Sequence, residues 1–316
     1  MDVTFLLPIR NGDSYIQRSL ENIGKVARNS DEILVIDDGS TDGTTKKLQG
    51  LQVSDSRFNF IFTKGIGLVN ALNLGLEEAT NEVIARADVD DLYSFDRIGL
   101  QLPLLKDKTS AVFSDYEFFD TGARSLGVIP TAICPLATRV SLFSSQRTAH
   151  PSVIFRKSAV LHAGGYKEDD FLAEDLGLWI RLSNFSNIAT CPEVLLKYTL
   201  HARSVSIQNN ESMNKVRSSL LSKLIIRPAE WTELRESIPE IVQTYRNSSL
   251  GSGRMQLLLR DLLLAYRIGG RNKELLSSIQ FLTKNVIFNP TSYPTAMTLL
   301  AERRKRRLMR DGYSIQ

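Results

Sequence analysis

The sequence predicts an α/β fold: a mostly parallel β-sheet flanked by helices, followed by a mainly helical C-terminal region. Three observations lead there. Short apolar runs alternate with stretches of helical apolar spacing through the first half. Two acidic clusters stand directly at the ends of such runs, and strand patterns largely disappear beyond residue 206. Repeated strand–helix–strand units imply a parallel sheet with right-handed crossovers and helices on both faces.

The elements follow in order. Val3–Leu7 is a short apolar run ended by Pro8, and reads as a first strand. Ile16, Leu20 and Ile23, spaced four and three apart, mark a helix. Glu32–Ile36 is a buried strand stopped by the turn-rich Asp37-Asp38-Gly39-Ser40, and Phe58–Phe62 supplies a third strand. Leu68, Leu72, Leu76 and Ala79 share one helical face. Val83–Ala87 is another strand, running straight into Asp88-Val89-Asp90-Asp91. Leu178, Arg181 and Leu182 follow helical spacing, with Glu174-Asp175 at the helix start. Leu257, Leu258, Leu262 and Leu263 suggest an amphipathic helix in the last third. The polar stretch Ser206–Asn214 divides the chain into a unit of residues 1–208 and a helical, basic unit of residues 209–316.

Composition narrows the class. With 42% hydrophobic and 23% charged residues in a chain of 316, wholesale disorder is excluded. No apolar stretch approaches the roughly 18 residues of a membrane-spanning helix. The start, Met1 to Ser14, lacks a basic leader region and reads as a strand, not a signal peptide. Cys134 and Cys191 are too few and too far apart for a metal cluster, and free thiols in a reducing cytoplasm are expected. Charge is split unevenly. Residues 1–205 hold 21 Lys/Arg against 26 Asp/Glu, a net of −5, whereas residues 206–316 hold 18 against 9, a net of +9. The acidic part suits a metal, and the basic part suits an anionic surface.

Ligands of open α/β sheets bind beyond the carboxyl ends of the strands, where both acidic clusters fall. Asp88 and Asp90, two apart in extended chain, can project to the same side and form a hard oxygen site for Mg²⁺ or Mn²⁺. An acidic solvated loop is the competing reading. In Ile36–Thr44 an Asp at a strand end can accept from a base N–H or a ribose hydroxyl, while a capped strand-to-helix turn explains the same residues. Glu174 and Asp175 at a helix start can meet the helix dipole or, facing a cleft, act as general base.

Taken together, the residues resemble glycosyltransferase family 2, enzymes of the GT-A type, a Rossmann-like fold. The resemblance runs through Leu7-Pro8-Ile9-Arg10-Asn11-Gly12, Val35-Ile36-Asp37-Asp38-Gly39-Ser40-Thr41-Asp42 and the segment Gly67–Leu76. It continues through Ala85-Arg86-Ala87-Asp88-Val89-Asp90-Asp91, His150–Ser158 with Gly164-Gly165-Tyr166, Glu174-Asp175 with Leu178-Trp179, and His201 with Ser204. Order and spacing fit over residues 3–206. The resemblance implies that Asp38 contacts the nucleotide base, with Asp37 beside it and Pro8, Ile9, Arg10 and Asn11 lining that pocket. It implies that Asp88 and Asp90 serve a divalent metal on the diphosphate, Asp88 thereby also touching the nucleotide. Asp175 is then the general base with Glu174 beside it, and His201 approaches the metal. The expected reaction is inverting, metal-assisted transfer from a nucleoside-diphosphate sugar, with UDP as nucleotide, onto a glycan or lipid-linked acceptor of surface polysaccharide or glycolipid synthesis.

The Q-x-x-R-W motif and membrane helices of processive relatives are missing, so single additions are expected. Tyr116–Ser145 carries no assignable motif and is expected to shape the acceptor side. The run Arg303-Arg304-Lys305-Arg306-Arg307 with Arg310 suits peripheral contact with an anionic inner leaflet, a solvated helix being the alternative. Nucleic acid is not an expected partner, since no recognition module accompanies the charges. A sugar nucleotidylyltransferase is disfavoured because Pro8-Ile9-Arg10-Asn11-Gly12 replaces a Gly-rich loop. A non-catalytic sugar-nucleotide-binding scaffold would need neither Asp175 nor the Asp88–Asp90 pair.

Overall fold

The computed structural model describes residues 1–51, 55–132, 135–142, 148–201, 204, 209–221 and 228–246, with Leu258, Leu259, Leu262, Ile279 and Gln280 beyond them. Cys134, Leu257, Leu263 and the basic run at residues 303–310 lie outside the described residues.

The first half folds as the apolar pattern dictates. Strand β1 (Val3–Ile9) and β2 (Glu32–Asp37) are buried along their whole length, as strands covered on both faces must be. Between them α1 (Ile16–Val26) buries Ile16, Leu20 and Ile23. Helix α2 (Thr44–Leu51) leads to β3 (Phe58–Phe62), and α3 (Leu68–Glu78) leads to β4 (Val83–Arg86). These four strands pair in parallel, in the order β3-β2-β1-β4.

The second half is mixed. After β5 (Leu92–Tyr93) and the short helix α4 (Arg97–Gln101) come β6 (Thr109–Phe119), β7 (Ser125–Ile129) and α5 (Pro135–Ser141). Then follow β8 (Ile154–Arg156), α6 (Lys157–His162), α7 (Glu174–Leu182) and β9 (Asn187–Thr199). The sheet extends as β4-β8-β6-β9-β5, with β7 on the edge of β6. β8 runs antiparallel to both β4 and β6, and β6 and β9 are parallel. The expected parallel sheet thus holds for the N-terminal half, while antiparallel insertions extend it. β9 carries Pro192 where the register against β6 shifts, so its missing N–H falls outside the regular ladder.

Side-chain alternation sends successive residues of one strand into two cores. Leu6, Leu34 and Ile36 face α3, α5 and α7, with Trp179 edge-on to Phe113 at 5.2 Å. Phe5, Leu7, Ile33 and Val35 face α1 and α4. Helices α8 (Asn210–Leu221) and α9 (Pro228–Arg246) send Leu220, Leu234, Ile238, Ile241 and Val242 into the first of these cores. Helix α8 begins inside the polar stretch at which the sequence suggests a boundary.

The two ends of the sheet treat carboxylates differently. At the amino end, Glu32 accepts from the Thr4 hydroxyl at 2.6 Å, the Thr80 N–H and hydroxyl, and Asn59 Nδ2. Burial works to raise its carboxyl, but these hydrogen bonds outweigh burial and hold it below the ordinary value. Asp31 takes the Val3 N–H and the Arg28 guanidinium. At the carboxyl end Asp37 and Asp38 are likewise hydrogen-bonded, but Asp91 and, in the α7 turn, Glu174 each keep a buried oxygen with no hydrogen-bond partner among the described residues.

Candidate active site

The loops after β1, β2 and β4 leave from one edge, because these strands are parallel and in register, with Ile9 beside Asp37 and Leu6 beside Arg86. β8 begins at that edge, since it runs opposite to β4, and β9 ends there. His150 before β8 and His201 after β9 are thereby brought to the edge that carries Asp38 and Asp88.

The first cluster is the pair of turns after β1 and β2. Pro8 and Ile9 are buried, and Arg10 and Asn11 are exposed. Asn11 adopts φ 59°, a conformation Asn tolerates better than most residues, and its Oδ1 accepts the Thr41 N–H at 2.8 Å. Its own N–H donates to Ser40 Oγ at 2.9 Å. Asp37 accepts from the Ser40 N–H and the Thr45 hydroxyl, so it shapes the turn. Asp38 accepts from the Thr63 hydroxyl at 2.6 Å and the N–H groups of Ile66 at 2.6 Å and Gly67 at 3.0 Å. It therefore orders the loop after β3, whose Gly65 lies beside the Arg10 guanidinium of the Pro8–Asn11 turn.

The acidic cluster follows β4. The Ala87 N–H donates to the Leu6 carbonyl and the Asp88 N–H to Tyr93 Oη, which fixes the start of the loop. Arg18 donates to the Asp90 carbonyl, and Asp91 Oδ1 accepts the Thr199 N–H at 2.8 Å. Asp88, Asp90 and Asp91 each offer a carboxylate oxygen, all within 4.8 Å of one another. Three hard oxygens at this spacing suit a divalent cation. Burial, aided by the charges of Asp90 and Asp88, pushes the Asp91 carboxyl well above its ordinary range, and its Oδ2 is buried without a hydrogen-bond partner among the described residues. A cation would relieve both penalties.

His201 lies outside this three-way cluster. Its Nε2 meets Asp90 Oδ2 at 2.7 Å, and its ring stacks on Tyr15 at 5.1 Å. It orients Asp90, a contact through which it also neighbours the metal space.

Beneath the acidic loop Arg86 is almost fully buried and pairs with Asp88 at 2.6 Å. Burial opposes its charge, but Asp88, Tyr166 and Tyr93 together outweigh burial and the guanidinium stays cationic. Arg97, stacked over the Tyr93 ring at 4.5 Å, donates to the carbonyls of Arg86 and Val153 and so clamps β4 to β8.

The third cluster opens α7. Tyr166 Oη and His150 Nε2 are 2.9 Å apart, and Asn73 of α3 exchanges two hydrogen bonds with the Tyr166 backbone. Leu172 adopts φ 75° just before the helix, and Glu174 and Asp175 form its first turn. Asp175 Oδ1 accepts the Leu176 N–H at 2.7 Å. Burial raises the Asp175 carboxyl above its ordinary value, and burial with the Asp175 charge pushes Glu174 to about 7. A carboxylate raised in this way is a stronger base, which suits proton abstraction.

Every site residue named from the sequence thus lies on this edge or in the α7 turn. Tyr93 and Arg97 were missed, because their role depends on burial and pairing; Arg86 and Asp91 stood in the quoted motif but carried no signal separating them from their neighbours.

Comparison with known proteins places the fold and the family. Residues 4–159 match the model of the glycosyl transferase family 2. Over these residues the chain is a glycosyltransferase family 2 domain. This glycosyltransferase is 28% identical over 213 residues to the amylovoran biosynthesis glycosyltransferase AmsE of Erwinia amylovora, covering 65% of its own length and 77% of that relative. It is 28% identical over 203 residues to the UDP-Gal:alpha-D-GlcNAc-diphosphoundecaprenol beta-1,3-galactosyltransferase of Escherichia coli, covering 61% and 72% of the two chains. Among solved structures it resembles the mannosyltransferase PcManGT from Pyrobaculum calidifontis in complex with GDP-Man and Mn²⁺. That match has a TM-score of 0.56 and 16% identity over 98% of this chain and 87% of the other. It also resembles S. aureus TarS in complex with UDP-GlcNAc, with a TM-score of 0.54 and 15% identity over 100% and 93% of the chains. The glycosyltransferase has the GT-A fold of these neighbours. No described helix is long and apolar enough to cross a membrane.

Proposed function

We propose that this glycosyltransferase transfers a hexosyl or N-acetylhexosaminyl group from a UDP-sugar to an acceptor hydroxyl with inversion, in surface polysaccharide or glycolipid synthesis. The carrying observation is the gathering of three acidic clusters, Asp37–Asp38, Asp88–Asp91 and Glu174–Asp175, around one edge of the sheet and the helix that closes it. UDP is favoured because two of the relatives named above are described with UDP-sugars, although PcManGT is described with GDP-Man.

In this reading the base and ribose lie against Asp38 and the Pro8–Asn11 turn. Asp88, Asp90 and Asp91 hold Mn²⁺ or Mg²⁺, with His201 fixing Asp90. When bound, the cation neutralises charge on the departing diphosphate. Asp175 removes the proton of the acceptor hydroxyl as its oxygen bonds to the anomeric carbon. The bond from that carbon to the diphosphate oxygen breaks with its electron pair, and UDP leaves from the opposite face. One displacement inverts the anomeric configuration, without the covalent intermediate of a retaining double displacement. The acceptor is a glycan or a lipid-linked saccharide, and the basic run at residues 303–310 would hold the enzyme at an anionic inner leaflet.

The test is Mn²⁺-dependent binding and hydrolysis of a panel of sugar nucleotides. Asp90→Ala should lose metal-dependent donor binding. Asp175→Asn should keep binding while kcat falls about 10²–10⁴-fold. Binding without turnover in the wild type would favour the scaffold reading, and a product retaining the donor's configuration would exclude single displacement.

A further inference from the structure

Helix α8 belongs by sequence to the region with no assigned role, yet the charge of one of its half-buried side chains acts on Asp175. It buries Met213 and Leu220 and half-buries Val216. Arg217 stands four residues after Met213 and three before Leu220, so helical geometry places it in the inward stripe. Its Nε is sealed from solvent and has no hydrogen-bond partner among the described residues. The surface against which α8 packs is α7, whose first turn carries Asp175.

The charges around Asp175 come from several elements. Glu174 adjoins it on α7, Arg86 and Asp88 face it from the end of β4, and Tyr166 faces it from the loop before the helix. Of the cations acting on the carboxylate, Arg217 has the larger favourable influence, ahead of Arg86. Arg86 is already paired with Asp88 at 2.6 Å. Asp175 Oδ1 is occupied by the Leu176 N–H, so a second constraint is needed to fix how Oδ2 is presented.

We propose that Arg217 makes α8 part of the active site, as the positioning residue whose charge holds the Asp175 carboxylate ready for the acceptor hydroxyl. This rests on the reading of Asp175 as general base. A packing role for the same side chain would require only its apolar stem. The two roles separate in Arg217→Met, which keeps length and stem, and Arg217→Lys, which keeps charge.

The experiment uses the full chain with Mn²⁺ and measures hydrolysis of UDP-galactose, UDP-glucose and UDP-GlcNAc beside calorimetric binding of UDP. Arg217→Met should lower kcat about tenfold or more, leave UDP affinity unchanged and move the acid limb of the kcat profile to higher pH. Arg217→Lys should restore most of kcat. Wild-type kcat and pH profile in Arg217→Met would overturn the proposal, as would equal losses in the Met and Lys variants. Asp175→Asn run alongside separates the levels. If it is inactive while Arg217→Met is unaffected, only the role of Arg217 fails. If Asp175→Asn turns over like wild type, the general-base reading fails and the proposal with it.

Discussion

Glu174 shows what the site demands of a single residue. Its side chain is 8% exposed, its Oε2 is buried without a partner among the described residues, and its carboxyl titrates at about 7 instead of 4.5. In the folded state it therefore binds a proton more tightly than in the unfolded chain. Stability is unaffected by this group below pH 4.5, falls as pH rises toward 7 and stays lowered above it. The loss amounts to on the order of 3 kcal/mol. Glu174→Gln should raise Tm relative to wild type at pH 8, with the difference shrinking toward pH 5; a constant difference across that range would refute the assignment. The residue-scale reading of the sequence succeeded where a side chain acts through its chemical type. Asp88 and Asp90 were legible as oxygen ligands, and Glu174–Asp175 as a helix-start carboxylate pair. Arg86 was not, because an arginine two residues before an aspartate has no distinctive pattern until both are buried against each other.

Among the elements, the turn after β2 tolerates little change. Gly39 has φ 67°, and a Cβ there would lie 2.7 Å from the Gly65 backbone nitrogen. The turn after β2 and the loop after β3 both depend on that approach, since Asp38 holds the loop at Ile66 and Gly67. Gly39→Ala should destabilise the protein by about 1–3 kcal/mol in urea denaturation and weaken UDP binding. An unchanged midpoint with unchanged affinity would contradict the geometry. Elements were legible in proportion to their regularity. The fully buried runs of β1 and β2, and the three- and four-residue spacing of α1 and α3, announce themselves. β8 has three residues, too few to show any period, and its antiparallel direction follows from tertiary pairing alone. Arg217 escaped notice because one arginine in an amphipathic stretch reads as surface until its stripe is known.

Across the whole molecule, the C-terminal helices share a core with the catalytic sheet. Leu220, Leu234, Ile238, Ile241 and Val242 join the cluster that includes Trp179 and Phe113. Each such side chain contributes about 1.5–3 kcal/mol when fully buried, so five of them rival the total stability of a domain. A chain ended at residue 208 should melt at lower temperature and bind a hydrophobic dye, whereas independent folding would leave its Tm unchanged. The sequence marked this region by its loss of strand pattern and excess of basic residues. What it packs against is a property of the folded surface of α5 and α7, which composition does not encode.

The unequal treatment of carboxylates at the two ends of the sheet bears on how such a protein can change under selection. Replacing Glu32 or Asp31 removes hydrogen bonds already made, so heat selection should preserve them. Replacing Asp91 by Asn or Glu174 by Gln removes a buried charge whose second oxygen lacks a hydrogen-bond partner among the described residues, while an acceptor oxygen remains for the Thr199 N–H, so the same selection should favour those changes. Variants enriched for heat resistance alone should therefore accumulate neutral residues at Asp91 and Glu174 and lose sugar transfer, leaving the hydrogen-bonded carboxylates as a record of the fold and the unpartnered ones as a record of the work.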